Sequence, residues 1–228
     1  MADDLLTLAA AKKEPLVCPA SGDTPTGLYE ELVRRVKANK ADLQHWYFIG
    51  LDEWMEMNGE DEGSCRNYLD TTFFSPLEIE ENRICFFDGK GIDARDECRN
   101  AEAFIESLEG IDIAVLGLGT NGHIAMNEPG TPKTSRSHIS TIAKETQAVG
   151  QKYFKTPKRI TEGITLGIQT LLEAKHIMLM VTGSKKASII QRVLSTPATS
   201  EIPATFFLEH PSITIYLDKE AASLIATT

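Results

Sequence analysis

The 228-residue chain has no apolar run approaching the roughly 18 residues that a membrane-spanning helix requires, which leaves no candidate span. It is also short of positive charge. Its 23 Lys and Arg stand against 33 Asp and Glu, a formal charge of −10, so neither nucleic acid nor an anionic membrane surface is expected as the main partner. An anionic substrate would need a local cluster of lysines or helix N-termini to outweigh that field. Cysteine is sparse: Cys18, Cys65, Cys85 and Cys98 contain no C-x-x-C pair. That is the pattern of reduced thiols in a cytosolic protein rather than of disulfides or a zinc site, and no metal is expected. The opening MADDLLTLAAAKKEP is acidic first and only briefly apolar, unlike a signal peptide or anchor, so a cytoplasmic location is expected. With no repeat, low-complexity linker or shift of composition, residues 1–228 read as a single domain.

What the chain does have is regular alternation. Short apolar runs fall near 15–20 (PLVCPA), 46–51 (WYFIGL), 84–87 (ICFF), 111–117, 176–182 (HIMLMVT) and 213–217 (ITIYL). Helical spacing fills about 26–39, 65–74, 93–108, 145–155, 168–174 and 184–195. This order predicts an α/β fold with a doubly wound, mostly parallel sheet and helices on both faces, Rossmann-like in architecture. In 26–39, Leu28, Leu32 and Val36 recur at fourfold spacing with charge between them, a stripe expected to face the sheet behind a threonine cap.

Four stretches lie where a strand gives way to a turn, the position at which open α/β sheets hold ligands. SGDTPTG (21–27) offers a glycine, small hydroxyls and backbone N–H groups at a helix start, a phosphate cradle or a mere capped turn. Asp23 counts against the cradle unless it points away. GLDEWMEM (50–57) interrupts a strand end with Asp52 and Glu53; strand alternation allows at most one of these carboxylates into a cleft above the sheet. GLGTNGHIAMNEPG (117–130) gathers Asn121, His123, Asn127 and Glu128 within eight residues. A histidine held by an amide or carboxylate is suited to moving a proton near neutral pH. VTGSKKASII (181–190) places lysines at a turn into a helix, where they complete an anion site or simply face water; Lys152 in GQKYF has the same two readings.

Together these stretches resemble the glucosamine-6-phosphate deaminase/isomerase family, whose fold is shared with 6-phosphogluconolactonases. The resemblance runs from about residue 15 to the end, and GHIAMNEPG is its specific part, since lactonases usually lack the asparagine-glutamate-proline after the histidine. LDEW, NGHIAMNEPG, TEGITLG, VTGSKK and IPATFFLEH look closest to the galactosamine-6-phosphate branch. The resemblance implies a 2-amino-2-deoxyhexose 6-phosphate as substrate and a ketohexose 6-phosphate plus ammonia as products. Asp52 would be the base that moves the C2 proton to C1. His123 would open the pyranose ring, oriented by Glu128, with Asn121 beside it. Ser21, Gly22, Thr24, Lys152 and Lys186 would hold the phosphate, and no cofactor is implied, because ring opening and a 1,2-proton transfer need only fixed acids and bases.

Four departures from the pattern stand out, the first being that SRSHIS (135–140) lacks the arginine and lysine of the allosteric phosphate site in some bacterial deaminases, so activation by an N-acetylated sugar phosphate is not expected. Asn121 occupies a position that is aspartate in well-known glucosamine-specific members, which implies a lower imidazole pKa or a changed sugar preference. Lys152 replaces an arginine of many members and gives up its bidentate fork. The chain begins close to its first strand, where relatives have a preceding helix. Residues 135–160 are expected to form a lid, and exposed apolar residues near the termini would permit a dimer or hexamer. A 6-phosphogluconolactonase and a catalytically silent sugar-phosphate sensor remain as alternatives on the same fold.

Overall fold

In the computed structural model, which describes residues 1–225, nine strands and seven α-helices follow one another. They are α1 (Ala2–Ala9), β1 (Leu16–Cys18), α2 (Thr26–Lys37), β2 (Tyr47–Ile49), β3 (Asp52–Trp54), α3 (Cys65–Leu69), β4 (Ile84–Cys85) and α4 (Ala94–Ser107). After these come β5 (Ile113–Gly117), β6 (His138–Thr141), α5 (Lys144–Gly150), β7 (Glu162–Thr165), α6 (Ile168–Leu172), β8 (His176–Val181), α7 (Ala187–Ser195) and β9 (Ile213–Leu217). Six strands form one all-parallel sheet in the order β4-β2-β1-β5-β8-β9. The remaining three make a small antiparallel sheet, β3-β7-β6.

The large sheet is buried on both sides, and its strands show why they read as continuous apolar runs. Val17, Ile113, Val115 and Met178 point into one core with Leu28 and Leu32 of α2, Leu5 of α1, and Leu69, Phe73 and Phe74. Leu16, Cys18, Ala114, Leu116, Ile177 and Leu179 point the opposite way. There they meet Ile105 of α4, Leu171 of α6, and Ile189, Ile190 and Val193 of α7. Each fully buried Leu or Ile of this kind is worth about 1.5–3 kcal/mol, so the two faces carry most of the stabilisation. A smaller apolar cluster, Trp54, Met57, Cys65, Met126, Ile142 and Ile160, lies under the antiparallel sheet.

Two expectations are corrected. A helix does precede β1: Ala2, Leu5 and Ala9 recur on one face and are buried, Asp3 and Asp4 sit in the first turn, and Asp3 pairs with Arg35 of α2 at 2.5 Å. Nor does a threonine cap open α2. The N-cap position is Pro25 without a side-chain bond, and the Thr26 hydroxyl instead meets the Tyr68 hydroxyl at 2.7 Å. The stretch from 135 to 160 folds into β6, α5 and a 3₁₀ turn at Gln151–Tyr153. Among the described residues, no helix is long and apolar enough to cross a membrane.

Candidate active site

Strand order decides which turns meet. β2, β1, β5 and β8 are neighbours in the sheet, so the segments leaving their carboxyl ends, which carry Asp52, Ser21 to Thr24, His123 and Lys186, emerge side by side. The chain winds outward in both directions from β1 and β5, which makes this the crevice where a doubly wound sheet takes its ligand. Asp52 and His123 leave strands separated only by β1, roughly 10 Å at the backbone. The antiparallel sheet draws them closer in connectivity. Asp52 pairs with Thr165 across β3 and β7, and the Thr165 hydroxyl accepts from the Met126 N–H on the His123 turn at 3.3 Å.

Asp52 is buried, and its neighbours are the Cys65 thiol, Cys18 and Glu53. Burial pushes its carboxyl up to about 7; the Cys65 hydrogen bond opposes that rise and the like charge of Glu53 adds to it. A carboxyl held near neutrality can accept a proton from carbon and return it. Only Asp52 of the adjacent pair is placed for this, because the Glu53 side chain turns to the start of α3. It accepts there from Cys65 N at 2.9 Å and Arg66 N at 3.0 Å.

His123 stands on a turn that Asn127 fastens down. The buried Asn127 amide donates to Ile124 O at 3.0 Å and Leu166 O at 2.9 Å, so this asparagine shapes the loop rather than joining the proton path. Gly119 lies directly under the imidazole, and a Cβ there would overlap the ring. The ring's nearest partner is Asn121: Oδ1 is 2.7 Å from Nδ1 and accepts from the His123 N–H at 3.1 Å. The Asn121 amide donates to Glu128 Oε2 at 2.7 Å. Glu128 Oε2 itself is 3.6 Å from Nδ1, so Glu128 orients the ring largely through the amide between them. Burial raises the Glu128 carboxyl, but the His123 hydrogen bond and charge, together with Thr146 and Asn121, bring it down to about 2. An ionised Glu128 can only accept, which turns the Asn121 NH2 toward it and leaves Oδ1 facing the ring. Whenever the imidazole is neutral, this arrangement puts its proton on Nδ1 and leaves the lone pair on Nε2.

At the other end of the crevice two turns and two lysines come together. Gly22 has φ 95° and approaches the Tyr153 hydroxyl so closely that a Cβ would stand 2.8 Å from it, which requires glycine. This close approach lays the Lys152 turn over residues 21–24. Lys152 Nζ is 2.5 Å from Asp23 Oδ2; Asp23 therefore engages the lysine instead of facing the cradle alone. Lys186 Nζ donates to Leu118 O at 2.5 Å, just before Gly119. Burial, with repulsion from Lys152 second, pushes the Lys186 amine down to about 8. Ser21 is half-buried and its side chain lies near the Cys65 thiol, so the Ser21 turn adjoins the wall of Asp52.

The sequence matches the family model for glucosamine-6-phosphate isomerases/6-phosphogluconolactonase over residues 2–215. The chain belongs to this family. It is 37% identical over 206 residues to a glucosamine-6-phosphate deaminase of Shouchella clausii, covering 90% of this chain and 83% of that one. Glucosamine-6-phosphate deaminase 1 of Bacillus subtilis is 33% identical over 214 residues, 93% and 88% of the two chains. In structure, a monomeric glucosamine-6-phosphate deaminase is similar with TM-score 0.94 and 32% identity, covering 98% of this chain and 93% of that one. A 6-phosphogluconolactonase of Thermotoga maritima reaches TM-score 0.74 at 18% identity, covering 95% and 92%, a likeness of fold alone.

Within this family fold, several neighbours of the site had no signal in the sequence. Thr146 of α5 places its hydroxyl 3.3 Å from His123 Nδ1, and the Ala143 N–H donates to Glu128 Oε1 at 3.3 Å. Tyr153 covers Gly22. These come from the segment expected as a lid, and their individual positions depend on tertiary packing. Cys65 and Glu53 were more accessible to reasoning: Ser64 three residues before Asn67 is an N-cap signature, and its hydroxyl accepts from the Asn67 N–H at 2.9 Å.

Proposed function

We propose that this chain is an amino-sugar-phosphate deaminase that converts a 2-amino-2-deoxyhexose 6-phosphate and water into a ketohexose 6-phosphate and ammonia. The observation that carries the reading is the convergence, at one sheet crevice, of a near-neutral buried carboxyl, an amide-held imidazole and two lysines beside a glycine turn. The relatives named deaminases, similar across most of both chains, support the same choice over the lactonase.

In this scheme the substrate phosphate lies on the backbone and hydroxyls of Ser21, Gly22 and Thr24 and takes charge from Lys152 and Lys186. His123 Nε2 accepts the C1 hydroxyl proton and delivers it to the ring oxygen, opening the pyranose to the aldehyde. Asn121, with Glu128 behind it, holds the ring in the tautomer this needs. Asp52 then removes the C2 proton, giving an enolamine, and returns it at C1. The resulting C2 imine is hydrolysed by water to the ketone, releasing ammonia. Each acid or base step contributes about 10² to 10⁴ in rate. Residues 135–160, whose α5 touches His123, act as the lid that excludes bulk water from the enolamine.

The sugar epimer is the finer part of the proposal: glucosamine 6-phosphate is the first substrate to assay, and galactosamine 6-phosphate, suggested by the motif likeness, the second. A coupled ammonia assay with both, run beside hydrolysis of 6-phosphogluconolactone, tests the reading. Ammonia release from at least one epimer is expected. Lactone hydrolysis without ammonia release would replace it with the lactonase, and tight binding of both epimers without turnover would replace it with a sensor.

A further inference from the structure

The Glu53 side chain beside Asp52 is fully inaccessible, and the proposed proton path does not use it. Its carboxylate is unusually well provided with donors. Oε1 accepts from its own neighbour Trp54 N at 2.9 Å and from Cys65 N at 2.9 Å, and Oε2 accepts from Arg66 N at 3.0 Å. Cys65 and Arg66 open α3, where backbone N–H groups have no intrahelical acceptor. The third such group, Asn67 N, goes to Ser64 Oγ at 2.9 Å. The start of α3 is thus divided between a local cap and a carboxylate sent across from β3.

A local cap alone would have served the helix. Serine, threonine or asparagine at the helix start satisfies its first turn at little desolvation cost, whereas burying a carboxylate carries a large desolvation cost before its hydrogen bonds return any of it. Burial does raise the Glu53 carboxyl, with the Arg66, Cys65 and Trp54 N–H groups and Ser64 working against that rise. What the carboxylate supplies, and a local cap cannot, is a rigid tie between β3 and α3 at the residue next to Asp52. The first residue of the tied helix, Cys65, is the one whose thiol lies against the Asp52 carboxyl.

We propose that Glu53 is the positioning residue for Asp52: by fastening the first turn of α3 to β3 through the Cys65 and Arg66 N–H groups, it fixes both the strand bearing the base and the thiol wall against which the base rests. The proposal rests on the reading of Asp52 as the C2 base. It has a second consequence, because Glu53 places a negative charge beside Asp52. The other groups that bear on Asp52 are the thiols of Cys65 from α3 and Cys18 from β1, and neither brings a positive charge. Removing the Glu53 charge therefore makes Asp52 easier to ionise.

The test is steady-state ammonia release by full-length E53Q, E53D and S64A against the unaltered chain, over pH. Glutamine keeps the shape but sets an NH2 against Arg66 N–H. In E53Q we expect kcat to fall about 10- to 100-fold with KM within about twofold, the scale of a reacting group misplaced by about 1 Å. The acid limb of the profile should also move to lower pH. Aspartate keeps the charge but loses the reach, so E53D should lose kcat with its acid limb unmoved. S64A weakens the same helix start from the other side and should lower kcat severalfold, again with the limb in place. An E53Q protein with unaltered kcat and profile overturns the proposal. If E53Q does not fold, S64A decides: a lower Tm with unchanged kcat shows that the start of α3 does not position Asp52, and overturns it equally. Absence of ammonia release by the unaltered chain would instead reject the underlying deaminase reading.

Discussion

Replacing Asp52 by asparagine separates the cost of burying this carboxyl from its use. Its proton is held to about 7, against an ordinary value of 3.8, chiefly because burial penalises the charged form. A rise of roughly three pH units at about 1.4 kcal/mol each makes the ionised carboxylate cost the fold about 4 kcal/mol. The sign follows from proton uptake. Below about pH 4 the group is protonated in both folded and unfolded chains and contributes no difference. Between about pH 4 and pH 7 the unfolded chain releases the proton while the folded chain keeps it, so stability falls as pH rises. Above about pH 7 the folded carboxyl ionises too and the loss levels off. Asparagine does not titrate, and every other group is shared. Urea unfolding should therefore show D52N gaining on the unaltered protein, from near equality at about pH 4 to an advantage of about 4 kcal/mol at about pH 8. Ammonia release by the same variant should drop by at least about 10², with phosphate-dependent binding retained. A stability difference that does not widen with pH would refute the burial argument, and near-normal ammonia release would remove Asp52 from the role of base.

Two further outcomes concern the other parts of the site. Lys186→Met keeps the stem packed but deletes an amine pushed down to about 8. KM should rise about 10- to 100-fold with a smaller change in kcat, the range set by one charge-assisted hydrogen bond, and the unaltered chain's KM should climb as pH rises through about 8 while the variant's stays flat. Gly119→Ala places a methyl group inside the space of the His123 ring; turnover should fall by about 10² or more with the fold intact by circular dichroism. An active G119A enzyme would show that the ring need not stand where it does.

The legible parts of the fold were those that the large sheet dictates. PLVC, YFI, IAVLG and HIMLMV are buried on both faces, so their sequences carry unbroken apolar runs, and their order predicted the parallel sheet. The antiparallel sheet left no such mark. DEW, HIST and EGIT are three or four residues long, mix charge, hydroxyl and glycine, and become strands only because each finds its partner. α1 did carry a signal, in the spacing of Ala2, Leu5 and Ala9 behind two aspartates. For the site, Asp52, His123 and Lys186 were visible because polar residues directly after an apolar strand stand out. Thr146 and Tyr153 were not, because they reach the site from another element through side-chain packing. The Asn121 amide was visible as a residue, but its place between His123 and Glu128 depends on the turn that Asn127 and Gly119 hold.

The two ends of the proposed site share one electrostatic arrangement of opposite sign. Burial discourages charge on Asp52 at one end and on Lys186 at the other, and in each case a like-charged neighbour, Glu53 or Lys152, adds to the effect. Lys152 itself is held by Asp23, and Lys186 by a backbone carbonyl. A dianionic phosphate answers this at the lysine end only. It offers both ammonium groups a stronger acceptor than those they have, and it restores the charge that burial suppresses. The carboxyl end gains nothing comparable from an uncharged sugar ring, so Asp52 stays poised to take a proton. Binding free energy is then released far from the reacting carbon, while the base remains in the desolvated state that makes it reactive. That division is the one required when remote contacts are to be expressed as rate rather than as affinity alone.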